Sequence, residues 1–294
     1  MTKTIKRELF GPGPTNVPAS ILDALSQPTI GHLDPEFLGI MDQVSELLRT
    51  SFQTDNALTF VLSAPGSIGM ETSFVNLVEP GDKVVVCING VFGGRMKDIC
   101  DRLGAEIVTL QFDWGEPVDP EVVAEALLEH PDAQVVAFVH AETSTGVVSD
   151  AKAIAAVARN HNCLTIADCV TSLGGVELDI DGWGIDVAYS GSQKCLSCVP
   201  GLSPITFSPA AVEKIKSRKT KVVSWFCDIS LLMSYYESGE KTRAYHHTAP
   251  VNSLYAINEA LRLVVEESLP ERWGRHRRAA EHLYARLEEA GLEL

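Results

Sequence analysis

Two residues set the chemistry this chain could perform. Asp168 follows the apolar run Cys163–Ala167, and Lys194 closes the turn Ser190-Gly-Ser-Gln-Lys194 behind a second run, Asp186–Tyr189. A lysine placed this way can attack a carbonyl carbon, and an acid at a strand end can hold a cationic ring nitrogen. A third run, Leu58–Leu62, leads into Ser63-Ala-Pro-Gly-Ser67-Ile-Gly-Met-Glu71, a Gly/Ser turn that opens a helical segment. Free backbone N–H groups and the positive end of a helix dipole make such a turn a phosphate seat. A fourth run, Gln134–Val139, is followed by His140-Ala-Glu-Thr-Ser-Thr-Gly146. Each feature alone has a plain reading: a capping acid, a solvated lysine, an ordinary turn. Together, at strand ends, they match the needs of an aldehyde cofactor with a phosphate arm and a ring nitrogen. The lysine forms the Schiff base and the acid keeps the pyridine nitrogen protonated. That cofactor is pyridoxal 5′-phosphate.

Seven strand-like runs can present these ends. They are Leu58–Leu62, Lys83–Ile88, Glu106–Leu110, Gln134–Val139, Cys163–Ala167, Asp186–Tyr189 and Pro204–Phe207, rich in Val, Ile and Phe and bounded by Gly, Pro, Asp or Ser. Helix-period segments lie between them. In Pro35–Phe52 the positions Phe37, Ile40, Met41, Val44, Leu47, Leu48 and Phe52 step by three and four. Pro120–Glu129 and Ala151–Asn160 open at the capping types Asp119 and Asp150. This alternation predicts an α/β fold with a mostly parallel, seven-stranded sheet covered by helices, binding its ligand beyond the carboxyl ends of the strands. The alternation stops near Val223, and helices are expected over Pro250–Glu267 and from Glu271 to about Glu289.

The chain has 294 residues with 24 Lys+Arg against 39 Asp+Glu, a net charge of −15. That length supports a large core without disulfides or metals. The acid excess argues against nucleic acid and anionic membranes as partners. No run approaches the ~18 apolar residues of a membrane span. Met1–Phe10 carries Lys3, Lys6 and Arg7 with no apolar stretch behind them, so it does not read as a secretory signal. Seven scattered cysteines suit a reducing compartment, and a cytoplasmic enzyme is expected. Cys195-Leu-Ser-Cys198 lacks the second pair a zinc site needs, so no metal is expected there. His246-His247 reads as fixing its own loop. Arg272, Arg275, Arg277 and Arg278 with His276 read as a solvated helix face forming ion pairs. The absence of a G-x-G-x-x-G pattern disfavours a dinucleotide-binding dehydrogenase.

The chain resembles the class V, fold-type I pyridoxal-phosphate aminotransferases, and within them the alanine–glyoxylate / serine–pyruvate family. The matching stretches are Gly11-Pro-Gly-Pro-Thr-Asn16, Phe52-Gln-Thr, Val78-Glu-Pro-Gly-Asp82, Glu142-Thr-Ser-Thr-Gly146, Asp168 with Ser172-Leu-Gly-Gly175, Ser190-Gly-Ser-Gln-Lys194, Ser217-Arg-Lys-Thr220 and Tyr245-His-His-Thr248. They run in family order over almost the whole chain.

The resemblance implies a role for each matched position. Lys194 carries the cofactor, and Asp168 pairs with its pyridine nitrogen. Gly66, Ser67 and Gln193 hold the phosphate, and Thr143 reaches the phenolic oxygen. Tyr245 and Thr248 reach the phosphate of a second subunit, so a homodimer is implied. Gly13, within Gly11–Pro14, lines the substrate end of the cleft. Phe92 takes the ring-stacking position that is often Trp, which keeps a π-face but loses an indole donor. The phosphate loop lacks the His that some relatives carry after the Gly. The expected organisation is an N-terminal arm over 1–22, a cofactor-binding large domain over 23–250, and connecting helices with the start of a truncated small domain over 251–294. In the family that small domain carries the Arg that grips the substrate carboxylate, and no arginine here takes that role.

The implied reaction is transamination between alanine or serine and glyoxylate or pyruvate. Lys194-Cys-Leu-Ser197 and Gly31-His-Leu-Asp-Pro35 also fit ureidoglycine–glyoxylate transamination. Cysteine desulfuration is disfavoured, because Gln193 stands where those enzymes usually carry His. A reading from another class is a truncated chain that binds cofactor without turning over.

Overall fold

Runs of Val, Ile and Phe become strands, and the helices on either side exclude water from all of them but the edge strand Glu106–Gln111. The structure, a computed structural model, describes residues 7–236 and 243–293. Lys3, Lys6 and Leu294 lie outside them. The strands are β1 Leu58–Leu62, β2 Lys83–Ile88, β3 Glu106–Gln111, β4 Val135–Val139, β5 Ala141–Glu142, β6 Val147–Val148, β7 Leu164–Asp168, β8 Val187–Tyr189 and β9 Ser203–Phe207. The helices are α1 Ala19–Leu25, α2 Pro35–Phe52, α3 Gly66–Leu77, α4 Val91–Leu103, α5 Pro120–Glu129, α6 Ala151–Asn160, α7 Ile180–Trp183, α8 Pro209–Lys216, α9 Ile229–Tyr236, α10 Val251–Glu267 and α11 Leu269–Glu289.

The main sheet has seven strands in the order β1-β9-β8-β7-β4-β2-β3, as the alternation predicts. Strands β3, β2, β4, β7 and β8 are parallel, whereas β9 is antiparallel to β8 and β1 to β9. Two reversals return β1 to the direction of β8. The carboxyl ends of β1, β2, β4, β7 and β8 therefore meet along one side of the sheet. The reversal at β9 leaves no mark in composition, because Ser203–Phe207 is buried throughout. The short hairpin of β5 and β6 follows β4 on that same side.

Side chains alternate between two cores, as a period of two requires. Val85 and Cys87 join Phe37, Leu48, Val123, Ile154 and Leu254 on one face, while Val84 and Val86 join Phe74, Met96, Ala211 and Leu232 on the other. Helices α1, α2, α5, α6 and α10 thus cover the first face, and α3, α4, α8 and α9 the second. Helix α2 starts where the Asp34 side chain accepts from the Glu36 N–H at 2.9 Å, and stops where Gln53 turns left-handed at φ 52°. Helix α10 packs along α1 and α2.

The basic run on α11 is not uniformly solvated. Arg272 is only 7% exposed and pairs with Glu267, while Arg275 pairs with the same carboxylate from the surface. Of the apolar residues on this helix, Trp273 packs against the core and Leu283 stays exposed. Among the described residues no helix is long and apolar enough to cross a membrane.

Candidate active site

Asp168 ends β7 and is buried. Its Oδ1 accepts from the Val170 N–H at 2.9 Å, and its Oδ2 accepts from the Tyr189 hydroxyl at 2.9 Å. Burial pushes the carboxyl up to about 6, although both donors favour the charged form. Burial also pushes the Tyr189 phenol well above its ordinary range, so Tyr189 remains a donor. Tyr189 closes β8, one strand away.

Lys194 stands in the turn that follows β8. Its Nζ donates to the Pro12 carbonyl at 2.7 Å, and burial lowers its pKa. The arm around Pro12 is stitched to this turn, since the Thr15 N–H donates to the Gln193 carbonyl at 3.1 Å. A Cβ on Gly13, whose φ is 132°, would stand 2.6 Å from Lys194 Cδ and 2.9 Å from Nζ, so a larger residue there would strain the arm and push the lysine side chain aside. Gly66 plays a similar part at the start of α3. A Cβ there would meet Val170 at 3.2 Å and the Ser190 carbonyl at 3.4 Å. The first turn of α3 therefore lies against both the chain after Asp168 and the turn that carries Lys194. No side chain caps this helix, so its leading N–H groups are available to an anion.

The remaining expected positions surround this core. Thr143 hydrogen-bonds Thr171 through their hydroxyls, joining the hairpin to the chain after Asp168. Phe92 sits in the first turn of α4, with the Arg95 guanidinium 4.7 Å from its ring centre. Ser67 is exposed in the first turn of α3. Tyr245 and Thr248 face solvent, their hydroxyls 3.3 Å apart. Their loop is anchored where the His247 ring bonds the Ser63 hydroxyl at 2.7 Å, just before the turn into α3. All seven cysteines are free. Burial pushes the Cys198 thiol up to about 12 and also raises Cys195, so neither is ionised near neutrality.

Three contributors were not visible from residue types. Tyr189 reads as a strand residue, and nothing local marks it as a partner of Asp168. Glu142, 1% exposed, caps α4 from the hairpin: Oε2 accepts from the Phe92 N–H at 3.1 Å, and Oε1 accepts from the Ser144 N–H at 3.1 Å. Thr171 belongs to no motif.

Pyridoxal phosphate fits this donor set. An amine, a buried carboxylate and an uncapped helix N-terminus share one side of the sheet. Gln193 adds an amide whose Oε1 is buried without a hydrogen-bond partner. Fold and site together define an α/β enzyme built around a phosphate-bearing aldehyde cofactor.

Comparison with known proteins narrows the class. The family Aminotransferase class-V matches residues 8–293. Alanine–glyoxylate aminotransferase of Oryctolagus cuniculus is 41% identical over 291 residues, covering 99% of this chain and 74% of the relative. A solved alanine–glyoxylate aminotransferase from Nostoc sp. superposes with a TM-score of 0.96 at 45% identity, covering 99% of this chain and 76% of that one. The ureidoglycine–glyoxylate aminotransferase of Bacillus subtilis superposes with a TM-score of 0.93 at 36% identity, over 99% and 74% of the two chains. The chain belongs to the class-V aminotransferases, and its cofactor is pyridoxal 5′-phosphate.

Proposed function

We propose that this chain moves an amino group between a small amino acid, alanine or serine, and a small 2-oxo acid, glyoxylate or pyruvate. The observation that carries the reading is the placement of Lys194 and buried Asp168 at neighbouring strand ends, against the first turn of α3. The kinship to alanine–glyoxylate aminotransferases, at 41% and 45% identity, supports alanine and glyoxylate over the ureidoglycine alternative at 36%.

Pyridoxal phosphate, when bound, supplies an aldehyde that takes up the amino group and a cationic ring that receives the electron pair freed at the substrate α-carbon. Lys194 holds it, assisted by an amine pKa that burial lowers toward the reactive free base. Once displaced by the amino donor, Lys194 would take the proton from the substrate α-carbon and pass it to the carbon that carried the aldehyde, so that the proton changes carbon as the amino group changes owner. Asp168, as carboxylate, favours the protonated ring nitrogen, and Tyr189 holds that carboxylate in place. Gly66, Ser67 and Gln193 receive the phosphate, Phe92 stacks on the ring, and Thr143 reaches the phenolic oxygen. Gly13 borders the substrate. Tyr245 and Thr248 complete the phosphate site of a second copy, so the working unit is a homodimer. Seven free cysteines support a cytoplasmic setting.

Borohydride reduction of the holoenzyme followed by peptide mapping tests the site, and half-reaction spectra with alanine, serine and ureidoglycine test the substrate. Label on the peptide of Lys194 and a fast half-reaction with alanine or serine are expected. Label on Lys152, Lys214 or Lys216 would overturn the site, and a faster response to ureidoglycine would overturn the substrate choice.

A further inference from the structure

We propose that Arg272 is a positioning residue for the cofactor lysine: its guanidinium ties the chain just beyond Lys194 to the chain just beyond Asp168, and so sets where Lys194 stands against Asp168. This rests on the reading that Lys194 carries the cofactor.

Arg272 lies in the first turn of α11, far in sequence from either loop, yet its side chain is buried. Nε donates to the Gly174 carbonyl at 3.0 Å, and Nη2 donates to the Cys195 carbonyl. Nη1 donates to Glu267 Oε2 at 2.7 Å. One planar fork thus bridges the residue after Lys194 and the turn six residues after Asp168. A rigid guanidinium can span these acceptors, whereas an ammonium is a single point of attachment. A second stitch joins the same loops, since the Cys195 thiol donates to the Thr171 carbonyl at 3.2 Å. The Lys194 carbonyl in turn accepts from the Ser197 N–H at 2.9 Å, closing the turn that presents the lysine.

Two local features are unfavourable by themselves and become intelligible through this bridge. A cation in the first turn of a helix opposes the helix dipole. Ser268, which joins α10 to α11, sits at φ 69° and ψ 145°, a conformation rarely adopted outside glycine. Ser268 is the joint that brings Glu267, at the end of α10, against Arg272 in α11. Arg275 also donates to Glu267, at 2.5 Å, and the two arginines hold its carboxyl down to about 2. A buried guanidinium without such partners is strongly disfavoured, so the anion and both carbonyls belong to one unit. Its donors go to main-chain carbonyls and Glu267. Arg272 therefore acts through the backbone just beyond Lys194 and not on the substrate.

The test compares holoenzyme of wild type, Arg272→Lys, Arg272→Met and Glu267→Gln. The readouts are the cofactor's visible absorption band, the half-time of cofactor loss after dilution into a scavenger, and the melting temperature of the apoprotein. Arg272→Met is expected to lose cofactor at least tenfold faster with a displaced absorption band. Arg272→Lys should fall between it and wild type, and Glu267→Gln should move in the same direction by less. If Arg272→Met does not fold, Arg272→Lys and Glu267→Gln carry the comparison. Wild-type half-times and spectra in the folded variants, even with lowered melting temperatures, would mean that Arg272 only stabilises the fold and would overturn the proposal. Borohydride labelling of wild type away from Lys194 would instead overturn the reading on which it rests, so the two failures are distinguishable.

Discussion

Asp168 is a carboxylate that burial disfavours and the cofactor requires. Burial raises its pKa from 3.8 to about 6, so the native apoprotein takes up this proton more readily than the unfolded chain. By linkage, this group makes the apoprotein less stable as pH rises from about 4 to about 6. A cationic ring nitrogen reverses the preference, since it favours the ionised acid. Cofactor affinity of the apoprotein should therefore fall as pH drops through about 6, and Asp168→Asn should remove that step from a fluorescence titration. Asp168→Asn should still take up cofactor but lose turnover roughly a hundredfold, on the order of 3 kcal/mol of transition-state stabilisation. Near-normal single-turnover rates in that variant would remove Asp168 from the mechanism. Tyr189→Phe deletes one of the two donors to the carboxylate. The carboxyl should then titrate at higher pH, moving the affinity step upward. An unmoved step would show that the phenol only fills space.

At the scale of elements, the site depends on caps and close approaches that join distant parts of the chain. Helix α4 is preceded by Gly90, which offers no side-chain cap, and Glu142 supplies one from β5 by accepting from the N–H of Phe92, 50 residues away. Replacing Glu142 with Ala should cost about 1–2 kcal/mol and loosen the turn that carries Phe92. Chemical denaturation should report the first effect and the circular dichroism of bound cofactor the second. Wild-type dichroism at reduced stability would separate capping from ring placement. Elements whose signal is local were legible in advance. All seven sheet strands fall within a residue or two of their Val/Ile/Phe runs, α5 and α6 begin at their acidic caps, and α2 spans the segment whose apolar positions step by three and four. The strand-end placement of Asp168, Lys194 and the turn into α3 was legible for the same reason, since Asp168 ends a strand and the other two lie in turns that follow one. The hairpin of β5 and β6 was not, because two-residue strands carry no period. Glu142, Tyr189 and Arg272 were hidden differently. Their identities make sense only through partners that folding brings to them. The basic run on α11 looks solvated by type, and only the packed turn at Ser268 turns one of its arginines inward.

Across the whole molecule, large apolar side chains on and before the Tyr245 loop, which is anchored at Ser63 beside the turn into α3, are left uncovered by one chain. Val223, Trp225 and Tyr245 are 75%, 63% and 61% exposed. Two of them are held there rather than splayed: Trp225 stacks on His246 at 4.6 Å, and Tyr245 meets His32 at 5.3 Å. Large exposed apolar side chains grouped near a binding site are the mark of a surface meant to be covered. The proposed homodimer covers it with a second copy and places Tyr245 and Thr248 at that copy's phosphate. Oligomeric state and cofactor affinity should then change together. Sedimentation of the wild-type chain should give a dimer, and Val223→Asp with Trp225→Asp should give monomer by placing unpaired charge in the interface. A buried unpaired carboxylate costs several kcal/mol, enough to shift a micromolar association by more than a hundredfold. The monomer should keep Lys194, Asp168 and the first turn of α3, and so still bind pyridoxal phosphate, but at least tenfold more weakly. Tyr245→Phe in the dimer should weaken binding in the same direction without dissociating it, because it removes one hydroxyl and leaves the apolar surface intact. If the charged variant is monomeric and binds cofactor as wild type does, each chain closes its own phosphate site. The exposed aromatics would then serve association alone.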